Sequence, residues 1–216
     1  REVRARYKDS SLGLIWSLIR PLVQLMIYYV AIGKFLSAER SIPSFAVFVF
    51  AGLTVWQLFS ESVSQATGSI VMNAGIIKKV YVPRQVFPLA SIGAALFNFA
   101  IQFCILVLAA LLLGGGILIA QFPLTLPLAL LNVVVWSTAF GVVLSAVNVY
   151  YRDVQWFIEV VLMVGFWLSP IVYSIQMVAE NTPSWIEEIY LANPVTLSVV
   201  GFQRTLWRAG IDTTMP

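Results

Sequence analysis

The side chains best suited to chemistry form one basic group in residues 73–88, which read NAGIIKKVYVPRQVFP. This basic segment separates two long apolar tracts, and it carries Lys78, Lys79 and Arg84 without any acidic residue. Three cations with no acid or nucleophile beside them do not make a catalytic centre. We therefore expect the basic segment to lie on the cytoplasmic side of a membrane protein and to receive force from a partner.

Two prolines are expected to give the basic segment rigid ends. Pro83 and Pro88 lack a backbone N–H, and each disfavours helical geometry in the residue before it. A helix that runs through Ile77 should therefore end near Val82. A short, stiff helix can transmit a displacement to the membrane helices, whereas a flexible loop would absorb it.

Other kinds of chemistry find no support in the sequence. Histidine is absent, and the single cysteine, Cys104, lies in an apolar run, which excludes zinc and redox chemistry. The sequence has no HExxH, no serine with a nearby base and no acid-rich metal motif. The glycines at 114–116 are not followed by a GK(S/T) motif, so they are predicted to form a turn. We expect this chain to be no enzyme and to hold no cofactor, so any ATP hydrolysis must occur elsewhere.

Hydrophobic residues make up 60% of the 216 residues and charged residues 11%, and the mean hydropathy is +0.89. A soluble domain does not have this balance, so the chain is predicted to cross a membrane several times. Because about 20 apolar residues cross a hydrocarbon core of roughly 30 Å, the length allows about five or six spans. The net charge of +3 is explained by basic residues at the membrane surface and does not require nucleic acid as a partner.

Five apolar stretches are predicted to span the membrane. A basic amphipathic segment precedes them at about residues 6–20, and two short proline-led segments follow them at about 183–208. The chain begins with an arginine and ends without a closing apolar tract, so we expect a fragment of a longer protein that has a sixth span. The predicted spans are residues 21–36, 44–66, 89–113, 124–149 and 154–173.

The basic residues also predict the orientation of the chain. With a cytoplasmic N-terminus, nine of the 13 lysines and arginines fall inside and four outside, as the positive-inside rule favours. The charged residues near or within spans are Glu61, Glu159, Lys34 and Arg20. All four are predicted to lie within about two turns of a span end, from which they can reach the interface. A proton-driven carrier needs a deeper carboxylate, so that class is disfavoured.

Five sequence motifs occur in series along the chain. They are RYKDSSLGLIWSLIRPL at 6–22, NAGIIKKVYVPRQVFPLA at 73–90, NVYYRDV at 148–154, FWLSPIVY at 166–173 and the pair Asn193-Pro194. Together, and in this order, they resemble the permease subunits of ABC-2 type exporters for cell-surface polysaccharides, which include O-antigen, capsule and teichoic acid. The resemblance extends over nearly the whole chain.

This resemblance implies an all-α, polytopic transmembrane bundle in which residues 1–216 form a single permease domain. It implies a homodimer in the lipid bilayer of the bacterial cytoplasmic (inner) membrane, bound to two copies of a separate ABC subunit that holds ATP and Mg. The substrate would be a lipid-linked polysaccharide that passes through a channel. The domain would include an interfacial helix at about 6–20, a cytoplasmic coupling helix at about 73–82 and extracellular gate helices at about 183–208.

The resemblance also implies roles for individual residues. Four aromatic residues could offer stacking faces to sugar rings, or they could be ordinary aromatic residues of the membrane interface. They are Tyr7, Trp16, Trp167 and Tyr173. The residues that contact the ATPase subunit would be Asn73, Ile76, Ile77, Lys78, Lys79, Val80, Tyr81, Pro83 and Arg84. The interfacial helix, where substrate gains access, would use Arg6, Tyr7, Lys8, Trp16 and Arg20. The channel or gate would use Trp167, Pro170, Tyr173, Asn193 and Pro194, and the cytoplasmic turn would hold Arg152 and Asp153.

Two other functions remain open from the sequence. An ABC-2 exporter of a lipid or drug would share the basic segment and the topology but would need no wide glycan channel. A membrane scaffold or a glycan polymerase would have no ATPase partner.

Overall fold

The computed structural model describes residues 15–35, 44–112, 122–173 and 183–207. Within these ranges the secondary structure consists of helices and turns, which confirms the predicted all-α fold class. Helix α1 continues into a π-helical segment, Tyr29–Phe35. The helices are α1 Ile15–Tyr28, α2 Phe45–Met72, α3 Ala74–Ile77, α4 Val86–Leu112, α5 Phe122–Tyr150, α6 Val154–Trp167, α7 Ser184–Ala192 and α8 Pro194–Leu206.

Three of the described helices, α2, α4 and α5, are long and apolar enough to cross a membrane. Shorter apolar helical stretches occur at Leu22–Ala31, which runs from α1 into the π-helical segment, and in α6. At 1.5 Å per residue, α6 is about 21 Å long, which is less than a hydrocarbon core of roughly 30 Å. The structure therefore supports a multi-pass membrane bundle, and the count of five spans stays a prediction.

Helix α2 lies at the centre of the described bundle, where it packs against α4, α5 and α8. Most of its side chains are buried. At the contact with α5, Gly141 permits a close approach, because a β-carbon there would lie only 2.8 Å from Cβ of Ala66. Small residues of this kind are common where membrane helices approach closely.

Helix α2 extends to Met72, beyond the end predicted at residue 66. The polar side chains near its end did not stop the helix, because they bond to carbonyl groups of the helix itself. Thr67 Oγ1 donates to the Val63 carbonyl at 2.7 Å, and Ser69 Oγ donates to the Ala66 carbonyl at 2.7 Å. As a result, Glu61 lies about three turns from the end of α2. The position of Glu61 relative to the end of the membrane span stays a prediction.

Helices α7 and α8 form a hairpin within the predicted gate region, and α8 packs into the bundle between α2 and α5. The Trp207 ring, just after α8, meets the Phe48 ring of α2 at a centroid distance of 4.8 Å. Phe202 packs edge-on against Phe99 of α4 at 6.0 Å. A β-carbon at Gly201 would lie 2.9 Å from Cβ of Ala129 on α5. Sequence patterns alone did not predict this burial.

Candidate functional site

The basic segment forms a single helical turn that protrudes between α2 and α4. The Asn73 carbonyl accepts hydrogen bonds from the N–H groups of Ile76 and Ile77, at 3.0 and 3.1 Å. The N–H groups of Lys79 and Val80 both bond to the Ile76 carbonyl at 3.0 Å. Regular helix ends at Ile77 and this bonded turn at Val80, so the helix is shorter than the predicted 73–82.

The surface of the basic segment combines cations with apolar side chains. Tyr81 is 99% exposed, and Ile76 and Val80 are more than half exposed. Apolar groups that face outward beside cations are typical of protein contact sites. The predicted basic residues Lys78, Lys79 and Arg84 are also exposed, as is Pro83.

The turn between α5 and α6 lies at the same end of the bundle as the basic segment, which we call the basic end. Nδ2 of Asn148, in the last turn of α5, donates to the Thr67 carbonyl on α2 at 3.1 Å. Gly68 of α2 lies against the Gln155 side chain of α6, with its β-position 3.2 Å from Oε1. The predicted turn residues Arg152 and Asp153 are exposed there. The structure thus brings the basic segment and the predicted cytoplasmic turn to the same end of the bundle.

The predicted gate residues gather at the opposite end, which we call the hairpin end. Helix α6 ends at Trp167, and Pro170 after it is buried. The Pro170 carbonyl accepts a hydrogen bond from Nε2 of Gln203 on α8 at 3.1 Å. The Tyr173 hydroxyl donates to the Trp167 carbonyl, and it lies 3.0 Å from the Tyr190 hydroxyl on α7. These contacts fasten the end of α6 to the α7–α8 hairpin.

The tip of the hairpin is held by amide side chains. Oδ1 of Asn193 caps α8 by accepting from the Val195 N–H at 3.0 Å, and its Nδ2 donates to Ser169 Oγ at 3.2 Å. Nδ2 of Asn132 on α5 donates to the Pro194 carbonyl at 2.7 Å and to Ser198 Oγ at 2.8 Å. The predicted pair Asn193-Pro194 therefore links α5, α6 and α8.

Sequence reasoning missed Asn132 and Gln203, which hold the hairpin. Both lie outside the motifs that carry the family resemblance. The polarity of Asn132 is a signal that could have found it, because an amide inside an apolar helix needs a hydrogen-bond partner. Gln203 lies in the more polar helix α8 and gives no such signal. Among the other predicted residues, Arg6, Tyr7 and Lys8 lie outside the described residues, and so do the side chains of Trp16 and Arg20.

The described residues include no group of histidine, cysteine, aspartate or glutamate that could hold a metal ion. Cys104 is exposed on α4, on the outside of the described helices. The two candidate sites are an exposed basic segment at one end of the bundle and, at the other, a hydrogen-bonded hairpin whose helix α8 is largely buried.

Apolar helices of membrane-spanning length, with an exposed basic segment at one end and a hairpin packed at the other, define a multi-pass membrane protein. Residues 1–207 match the family model described as ABC-2 type transporter, and the chain belongs to this family. The predicted membership is confirmed.

Named relatives share most of their length with this chain. It is 31% identical over 186 residues to the O-antigen export system permease protein RfbA of Klebsiella pneumoniae, covering 86% of this chain and 70% of that protein. It is 26% identical to the protein of the same name from Myxococcus xanthus, covering 100% and 81% of the two chains. It is 25% identical to the polysialic acid transport protein KpsM of Escherichia coli, covering 92% and 76%.

Proposed function

We propose that this chain is the membrane permease of an ATP-driven exporter for a lipid-linked cell-surface polysaccharide. The observation that carries this proposal is the similarity, over most of the chain, to relatives named for O-antigen export and polysialic acid transport. The substrate is a glycan of the O-antigen, capsule or teichoic acid type. The chain lies in the bacterial inner membrane with its N-terminus in the cytoplasm.

ATP hydrolysis takes place on a separate ABC subunit, which binds ATP and Mg and docks on the basic end. The exposed cations and apolar side chains of the basic segment support this docking. The cations can pair with acidic groups of a partner, and the apolar side chains can be buried against it. The α5–α6 turn extends the same surface with Arg152. When ATP binding closes the partner subunits, the basic segment is displaced together with them.

An aromatic cluster supports the transmission of this displacement to the channel. The Phe166 ring of α6 meets the Trp56 ring of α2 at a centroid distance of 5.9 Å. On its other side, Phe166 stacks on Tyr28 of α1 at 5.6 Å. A β-carbon at Gly165 would lie 3.0 Å from the Trp56 ring, so α2 and α6 are tightly packed there. Movement of α2 therefore shifts α1 and α6, which we propose as the helices that line the channel.

The exposure of α6 supports a homodimer. Only one face of α6, which includes Ile158 and Phe166, packs within the chain. Apart from Glu159, its other sides are exposed and apolar, with large side chains that a second copy of the permease, a glycan or lipid could cover. These side chains are Trp156, Phe157, Val160, Val161, Met163, Val164 and Trp167.

The experiment that tests the proposal is genetic complementation combined with purification in mild detergent. Cells that lack the full-length permease should lose their surface polysaccharide and regain it when the gene is restored. An ATP-binding subunit should co-purify with the permease. Normal surface glycan in the deletion strain would overturn the proposal, and purification without any ATP-binding subunit would favour a scaffold or polymerase instead.

A further inference from the structure

A polar contact inside the bundle joins the two helices that flank the basic segment. Oε1 of Glu61 on α2 accepts a hydrogen bond from Nδ2 of Asn98 on α4 at 2.8 Å. The same oxygen accepts a second bond from Nε2 of Gln65 at 2.6 Å. Asn98 is buried, and Glu61 is half-buried. An amide that donates to a carboxylate makes a stronger bond than two neutral groups, and a low local dielectric strengthens it further.

This contact lies far from either end of the two helices. At 1.5 Å per residue, Glu61 is about 16 Å before the end of α2, and Asn98 is about 18 Å after the start of α4. Glu61 lies within a helix that is long and apolar enough to cross a membrane. A carboxylate within such a helix is costly and is by default a sign of function.

The contact closes a helical hairpin that has the basic segment at its tip. Helices α2 and α4 are antiparallel, because Glu61 meets Asn98 whereas Ala66 and Ile92 both approach Gly141 of α5. A force on the tip therefore acts on two adjacent helices, and how well it travels depends on whether they slide against each other. The bond between Glu61 and Asn98 opposes such sliding.

We propose that Glu61 and Asn98 are a positioning pair that makes α2, the basic segment and α4 move as one lever. This inference rests on the proposed function, because the lever is driven by the ATP-binding subunit. The pair touches neither ATP nor glycan, and it acts by preserving the register of the two helices. Without it, relative sliding absorbs part of the displacement before it reaches the channel.

The chain offers a matched control on the same face of α4. Gln102 lies one turn beyond Asn98 and is also buried, but its Oε1 has no hydrogen-bond partner among the described residues. Replacement of either amide by leucine removes a polar group of similar size from a similar depth. Only the change at residue 98 removes a bond between α2 and α4.

The test uses the full-length permease with its ATP-binding subunit in proteoliposomes. The probe is the lipid-linked glycan extracted from the host membrane, and the readout is glycan translocated per ATP hydrolysed. Asn98→Leu should lower this ratio at least about fivefold, within the range of typical coupling energies, while ATP hydrolysis continues. Gln102→Leu should leave the ratio close to that of the wild type. Glu61→Gln keeps an acceptor oxygen and should retain most of the ratio.

A reversible bridge separates the role of the pair from an effect on folding. The double variant Glu61→Cys/Asn98→Cys, made in a Cys104→Ser background, can be bridged by oxidation or by a short reagent that links two thiols. The bridged form should recover the wild-type ratio, and the unbridged form should show the lower ratio. Because both forms are the same folded protein, a difference between them reports on the connection alone.

Equal ratios in the bridged and unbridged forms would overturn the lever, as would a wild-type ratio in Asn98→Leu. A wild-type complex that moves no glycan at all would instead overturn the proposed function. The two failures are therefore distinguishable in one set of measurements.

Discussion

Asn132 holds the tip of the α7–α8 hairpin against α5, and the change Asn132→Leu should loosen the hairpin. The change removes two hydrogen bonds, to the Pro194 carbonyl at 2.7 Å and to Ser198 Oγ at 2.8 Å. Side-chain hydrogen bonds between membrane helices contribute about 0.6 kcal/mol on average and up to about 1.7 kcal/mol each. The loss of both should cost about 1–2 kcal/mol, which raises the open population of the hairpin about 5–30-fold.

The labelling rate of a buried cysteine on α8 measures this opening. Val199 is fully buried, and the variant Val199→Cys in a Cys104→Ser background places one thiol there. If opening is fast relative to labelling, a water-soluble maleimide reacts in proportion to the open population. Asn132→Leu should therefore raise the labelling rate about 5–30-fold.

The control for this prediction is Asn148→Leu, the same substitution on the same helix. It removes a bond to the Thr67 carbonyl at the basic end, so labelling at residue 199 should stay unchanged. An unchanged rate in Asn132→Leu would refute the reasoning. An equal rise in both variants would show a general loosening of α5 rather than release of the hairpin.

Two further predictions concern the basic end and the packing of α8. The double change Lys78→Glu/Lys79→Glu should lower glycan export at least about tenfold without loss of folding, because it places like charges against the partner. The control is Lys34→Glu at the hairpin end. Normal export from the double variant would contradict the docking role. Gly201→Ala should lower the free energy of unfolding by about 1–3 kcal/mol, because its β-carbon would lie 2.9 Å from a neighbouring side chain. Gly93→Ala, where nothing lies within 4 Å, should not destabilise the protein, and equal melting temperatures for the two glycine variants would contradict the packing.

Local signals in the sequence predicted the long helices well. The apolar stretches at 89–113 and 124–149 correspond to α4 and α5, since a run of apolar residues is a property of the segment itself. Asn193-Pro194 begins α8 as an N-cap and a first-turn proline, a combination that is also readable in the sequence.

The sequence could not predict features that depend on distant partners. Asn132 bonds to Ser198 across 66 positions in the chain, and Glu61 bonds to Asn98 across 37. Neither pair belongs to a local motif, so each side chain taken alone resembled an isolated polar residue. The end of α2 was predicted too early because Thr67 and Ser69, just beyond residue 66, bond to carbonyl groups of the same helix, which continues to Met72.

The burial of α8 is the main feature of the fold that the hydropathy pattern did not predict. Its sequence is too polar for a lipid-facing helix, yet Thr196, Ser198, Gln203 and Thr205 are all buried. Several of these side chains bond to backbone or to amides on other helices, which removes the cost of burying them. A short polar segment can therefore lie inside the bundle.

The ATPase rate of the reconstituted full-length complex tests polysaccharide export most directly. The rate should be measured with lipid-linked glycan from the host membrane, with small amphiphiles, and without either. We predict that the glycan stimulates ATP hydrolysis and that the small amphiphiles do not. Stimulation by small amphiphiles alone would contradict polysaccharide export and indicate an exporter of lipids or drugs.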